Sequence, residues 1–324
     1  MVALQNIPVG VYKLLLVVAT IIWGFSFVVM KDVVGVLPPA WLLGIRFVAA
    51  GLILLAVLWR RVRRAFSSKA LMAGMLLGVF DFSAFWAQTV GLENTTPGIN
   101  AFLTATYCVI VPFLWWLVAR KRPTVFNVGA AVLAVAGIWL VSSSSSGETF
   151  SLGLGEGMTL LGALLFAVHI VFVSKFAKKH DVLALTVFQF LTEGTLGCLV
   201  GAGFEALPPL SAITPTLVAS MAFLAVFASV VAFGIQNVAL AYVPPAQASL
   251  FLSLESVFGV LFSVLLYGEQ IGLRLLVGFA LIFVAIVVSE TFPLKRGAPR
   301  AQRDAARQRA GDAAMAKEAP HDAI

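Results

Sequence analysis

Gln88-Thr89-Val90-Gly91-Leu92 is matched by Gln236-Asn237-Val238-Ala239-Leu240, a shift of 148 residues. Upstream, Trp23-Gly24-Phe25-Ser26-Phe27-Val28 lies against Phe166-Ala167-Val168-His169-Ile170-Val171, and Arg46-Phe47 against Gln189-Phe190, both shifted by 143. Each identity is weak alone, but long blocks held at constant spacing mark the second half as a repeat of the first. If each copy contributes five membrane-spanning helices, an odd number, the second copy enters the bilayer upside down. Inverted repeats of this kind build two-faced machines around a site near the bilayer midplane.

Composition agrees with a membrane chain. Of 324 residues, 60% are hydrophobic and 11% charged, far outside the usage of soluble domains. The formal charge of +7 does not point to nucleic acid, because the basic residues sit in short clusters between apolar runs. Cys108 and Cys198 each lie inside an apolar run and suggest neither a disulfide nor a metal site. The first apolar run follows only Lys13 and lacks a small-residue cleavage pattern, so it reads as a retained helix rather than a signal peptide.

Ten segments are long enough to cross a core that needs about 20 helical residues. They are placed at 11–30, 39–59, 70–91, 97–119, 125–143, 155–177, 182–202, 216–241, 246–267 and 273–291. The runs are long and do not alternate, which excludes a strand barrel. The first repeat is expected over 13–143, the second over 154–290, and a cytoplasmic, disordered tail over 294–324. With the N-terminus inside, all of the 22 basic residues except Lys31, Arg274 and Arg46 fall on the inner face. The positive-inside rule then puts both termini in the cytoplasm of a multi-pass membrane protein, expected in a bacterial inner membrane. The connector from Ser142 to Glu148 is polar and expected outside.

No soluble-enzyme motif is present. His169, His180 and His321 have no zinc spacing, and Gly153-Leu154-Gly155-Glu156-Gly157 lacks the preceding strand of a dinucleotide loop. No cofactor, metal or catalytic residue is expected. Function must instead lie in what a membrane makes costly. Asp81, Glu193, Glu255 and His169 stand at mid-helix, and Arg46 stands about two turns in from the outer end of its helix. Arg46 and Glu193 read first as an internal clasp, since Arg46 aligns with Gln189 and so suggests packing in both halves. Asp81 and Glu255 are the candidates for a proton or cation role. His169 fits a hydrogen-bonded structural histidine and a pocket group equally well.

Neighbouring polar and aromatic residues extend the candidate site. Asp81, Phe85 and Gln88 share one helix face, as do Asn100, Thr104 and Tyr107 on the next helix. Trp23 and Ser26 come from the first helix, and Gln236 from the eighth. The expected substrate-contacting set is therefore Trp23, Ser26, Asp81, Phe85, Gln88, Asn100, Thr104, Tyr107, His169, Gln236 and Glu255. An apolar, aromatic cavity with a few polar groups is the usual form of a small-molecule site. Gly74-xxx-Gly78 and Gly197-xxx-Gly201 fit close helix contacts. Pro112 is expected to bend its helix, and Pro97 and Pro245 suit preformed bends at matching positions.

Trp23-Gly24, Arg46-Phe47, Gln88-Thr89-Val90-Gly91-Leu92, Pro112 and above all the stretch Leu254 to Glu269, followed by Leu276 to Ile282, carry a family likeness. By these residues the chain resembles the drug/metabolite transporter superfamily, in its EamA-like branch, as two tandem repeats. The resemblance implies a ten-helix, all-α basket of two inverted five-helix repeats. It also implies both termini inside and alternating access to a cavity lined by helices 1, 3, 4, 6, 8 and 9. One departure stands out: the first copy ends Arg120-Lys121-Arg122-Pro123, where the family often has an acid like Glu269.

Three functions remain to be compared. The first is a secondary transporter, expected to export small metabolites such as amino acids or aromatic compounds, with proton or cation coupling. The second is a passive pore or non-transporting scaffold. The third is an intramembrane enzyme on lipid-linked substrates, which needs an acid pair or a His with an acid at the membrane surface. The partners expected are a small-molecule substrate and the lipid bilayer, with no nucleic acid.

Overall fold

A computed structural model describes residues 8–120, 122–144 and 153–291. The tail expected over 294–324 and the connector beyond Ser144 lie outside the described residues. Ten helices run in chain order, and among the described residues there is no strand. They are α1 Val9–Val34, α2 Pro39–Ala65, α3 Ser68–Glu93, α4 Pro97–Ala119 and α5 Val125–Ser144 in the first half. In the second half they are α6 Leu154–Phe176, α7 Val182–Phe204, α8 Pro215–Tyr242, α9 (Pro245–Leu252, Leu254–Phe262 and Ser263–Tyr267) and α10 Leu273–Thr291. Eight are long and apolar enough to cross a bilayer, and α5 and α10 contribute the shorter apolar runs Val125–Val141 and Leu273–Ser289.

Local sequence explains the ends. Ser67, Thr96, Asp181 and Thr214 accept backbone N–H groups of the turns that follow them, as N-cap side chains do. Pro97, Pro215 and Pro245 occupy first-turn positions, where a missing N–H costs nothing. Pro97 and Pro245 therefore start helices rather than bend them. The interruptions lie further in, at Thr106 of α4 and Ser253 of α9, an offset of 147 that preserves the repeat. Thr106 donates its hydroxyl to Leu103 O and Ser253 to Leu250 O, so side chains replace the ladder bonds at both breaks. The break in α4 lies upstream of Pro112, which stays inside the helix.

The packing repeats with two-fold logic. α2 packs along α7 and α5 along α10. α3 packs on α6 as α8 packs on α1, and α4 on α6 as α9 on α1. Exchanging the halves maps this set of contacts onto itself, so the two repeats interlock instead of forming separate bundles. End-to-end contacts fix the antiparallel sense. At one end of the α2–α7 pair, Glu205 accepts the Ala40 and Trp41 N–H groups, and at the other Arg61 pairs with Asp181 at 2.9 Å. Near the Ala40–Glu205 end the helices touch at Gly44 and Gly197, where a Cβ on either would run into the other's backbone. Gly74, Gly78 and Gly201 lie in the same kind of contact, against Phe188, Gln189 and Trp41. Rings of Phe47, Phe85, Phe190 and Phe233 fill the centre, with centroids 5.2 to 6.4 Å apart.

Candidate functional site

At the crossing of the two repeats lies an internal cavity. Its wall comes from Trp23, Ser26, Phe27 and Met30 of α1, Arg46 of α2, Phe85 and Gln88 of α3, and Thr104 and Tyr107 of α4. The second half adds Phe166 and Ile170 of α6, Phe233 and Gln236 of α8, and Glu255 of α9. The lining is pseudo-symmetric: Trp23 and Phe166, Phe27 and Ile170, Phe85 and Phe233, Gln88 and Gln236, and Tyr107 and Glu255 are partners at the repeat offsets of 143 and 148.

The backbone irregularities bring polar groups to this wall. Tyr107 and Glu255 follow the breaks at Thr106 and Ser253, and both side chains line the cavity. In α8, Leu224–Val231 forms a π-helical segment. That widened turn leaves Ala228 O to accept the Trp23 indole N–H at 2.8 Å. It also sets the Ser229 hydroxyl to donate to Leu224 O at 3.0 Å while accepting Arg46 Nε at 2.7 Å.

Arg46 is the cation of the cavity. It is 1% exposed, donates Nη1 to the Met30 sulfur at 3.4 Å, and stacks 4.7 and 5.0 Å from the ring centres of Phe47 and Phe85. Among the described residues no carboxylate lies within 4.0 Å of it. Glu255 faces the same cavity from the other repeat. The site therefore presents a guanidinium and a carboxyl, unpaired with each other, inside an aromatic shell. Gln88 donates to the Thr104 hydroxyl at 3.0 Å, leaving both oriented along the wall.

Eight of the eleven residues expected from the sequence line this cavity, and Asp81, Asn100 and His169 do not. Asn100 ties helices together, donating to Gln88 O at 3.1 Å and to the Thr159 hydroxyl at 2.7 Å. Asp81 and His169 lie behind the wall, fully buried, with His169 Nδ1 3.6 Å from Asp81 Oδ1. Sequence reasoning missed Arg46 as a wall residue, together with Met30, Phe166, Ile170 and Phe233. The repeat offset held a signal for Phe166 and Phe233, which are the copies of Trp23 and Phe85. Arg46 adds α2 to the helices expected around the cavity.

Fold and cavity together define a multi-pass membrane protein of two inverted five-helix repeats around one internal chamber. The profile of the EamA-like transporter family matches residues 11–143 and again 153–291, so the chain belongs to the EamA-like transporter family. Relatives agree with this. An uncharacterized transporter of Archaeoglobus fulgidus is 28% identical over 277 residues, covering 84% of this chain and 83% of its own. The transporter YvbV of Bacillus subtilis is 26% identical, covering 89% and 94%, and the inner membrane transporter YedA of Escherichia coli is 26% identical, covering 83% and 87%. A solved crystal structure shares the fold at a TM-score of 0.65 and 15% identity, covering 88% of this chain and 99% of that one. The chain is accordingly a membrane transporter.

Proposed function

We propose that this transporter exports small metabolites such as amino acids or aromatic compounds, by alternating access to the central cavity. The observation that carries the reading is the pairing of a guanidinium and a carboxyl from opposite repeats within one aromatic chamber. Arg46 suits an anionic group, Glu255 suits an ammonium, and the rings suit an apolar body. Because both repeats contribute to the wall, rocking one repeat against the other would open the chamber to either face in turn. Proton or cation coupling belongs to the same reading. So does a bacterial inner membrane with both termini cytoplasmic, supported by the arginines at the α2 end and Lys175, Lys178 and Lys179 beyond α6.

The test is counterflow in proteoliposomes. Vesicles loaded with unlabelled phenylalanine are diluted into labelled phenylalanine, with alanine and glutamate as parallel arms. Saturable uptake that internal substrate accelerates is the expected result for at least one arm. Flux that does not saturate, or ion current across a planar bilayer, would favour a pore. The enzyme reading has less support, because the acids stand at mid-depth and not at the membrane surface.

A further inference from the structure

Behind the cavity wall a second polar cluster joins α3, α6, α7 and α8, and the proposed substrate path does not use it. Asp81 and Glu193 are each 0% exposed. Asp81 Oδ2 accepts Gln189 Nε2 at 2.6 Å, and Gln189 Oε1 accepts Asn237 Nδ2 at 3.2 Å. The rest is unsatisfied: Asp81 Oδ1, both Glu193 oxygens, Asn237 Oδ1 and both His169 nitrogens have no hydrogen-bond partner. Buried polar atoms are almost always paired, so this concentration of orphans in one place calls for a missing species.

The orphans identify the species. Most are acceptors, so what is missing is a donor or a cation. Asp81 bonds Gln189, one turn before Glu193 on the same face of α7, and Gly78 of α3 packs on Gln189 and Thr192, so the helix contact brings the two carboxyls side by side. An ionised carboxylate only accepts, so that contact becomes a hydrogen bond only when one of the two carries a proton. Charge leads to the same place. The titratable groups around the pair are Arg46 of α2 and His169 of α6, while α8 contributes only Asn237 and Ser229. With the His169 imidazole neutral, two carboxylates against one guanidinium, sealed from water, leave an uncompensated negative charge that a low-dielectric interior resists. Among the described residues, no three His, Cys, Asp or Glu side chains converge as metal ligands.

The geometry points to the Asp81–Glu193 pair as the coupling-ion site of this transporter, a site for one proton separate from the substrate cavity. This rests on the coupled-transport reading above and deepens it by moving the ion away from Glu255. Arg46 connects the two sites, because its guanidinium lines the cavity and interacts electrostatically with Glu193 and Asp81. The charge that Arg46 presents to a substrate thus depends on whether the pair holds its proton.

Infrared spectroscopy of the purified full chain in lipid nanodiscs tests this. At neutral pH the wild type should show the C=O band of a protonated carboxylic acid, shifted by deuterium. Glu193→Gln and Asp81→Asn should each remove a component of the band that Glu255→Gln leaves in place, and that component should stay unchanged when sodium replaces choline. Titrating the wild type upward in pH should abolish it, which keeps the test independent of variant folding. A wild-type spectrum with only ionised interior carboxyls at neutral pH overturns the proposal. So does a spectrum that neither Glu193→Gln nor Asp81→Asn diminishes, or a component that sodium removes. Counterflow that persists without such a band would leave the carrier reading standing and remove only this site.

Discussion

Glu269, just beyond α9, accepts the backbone N–H of Gly98 at 3.0 Å and so caps the first turn of α4. The hydroxyls of Thr96 and Ser263 donate to the same carboxylate. One side chain of the second repeat thereby closes a helix end of the first. The reverse contact is not made by an acid, because the first copy has Arg120-Lys121-Arg122 at the matching place and α9 starts without a side-chain cap. Glu269→Gln should cost about 1 kcal/mol, the usual size of a lost N-cap, read as a lower unfolding temperature in detergent. Gly98→Ala should cost a similar amount, because its Cβ would meet the end of the Glu269 side chain, which can swing away only by giving up the same cap.

Gly197→Ala should destabilise the protein by about 1–3 kcal/mol, since the new methyl meets the Gly44 backbone and neither helix can yield by a rotamer change. Gly203→Ala is the matched control, with nothing within 4 Å of its added Cβ. Thermal unfolding of the two variants side by side checks this. Equal stabilities would mean that the α2–α7 contact is looser than described.

Lys31 donates to the Leu92, Glu93 and Thr95 carbonyls at 2.7 to 3.0 Å, satisfying the C-terminal end of α3. Lys31→Met should lower stability by about 1 kcal/mol, a modest figure because the site is partly exposed. Faster hydrogen exchange at the α3 terminus would accompany the loss.

Arg46→Lys keeps the charge but loses the flat face that stacks on Phe47 and Phe85 and the fork that can grip an anion in two places. In counterflow, half-saturation should rise by about tenfold, equivalent to about 1.4 kcal/mol, with the protein still folded. An unchanged value would remove Arg46 from substrate recognition.

Much of this architecture is legible in the chain. Repeat offsets, basic clusters and apolar runs give ten helices, and most ends fall within two or three residues of the structure. α2 runs further, to Ala65, because its arginines are good helix formers beyond the bilayer. The two offsets differ by five residues: the α7–α8 connection, residues 205–214, is eight residues longer than residues 66–67 between α2 and α3, and α7 is four residues shorter than α2. The site is less legible. Periodicity puts Asp81, Phe85 and Gln88 on one face, yet α3 packs on both α6 and α7, so one face serves two neighbours. Asp81 meets Gln189 of α7 while Phe85 meets Phe166 of α6. Nothing in Leu224–Val231 signals the π segment that supplies Trp23 and Arg46 with their partners, since its residues suit an α-helix equally well.

The most direct test of alternating access uses Thr104→Cys in a background lacking Cys108 and Cys198, because Thr104 lies in the cavity wall and is 2% exposed. A membrane-impermeant maleimide is applied to right-side-out and to inverted vesicles. Labelling from both faces, with each suppressed by the substrate that counterflow identifies, is the predicted result. Labelling from one face alone, or substrate-independent labelling from both, would contradict a chamber that opens in turn to the two sides.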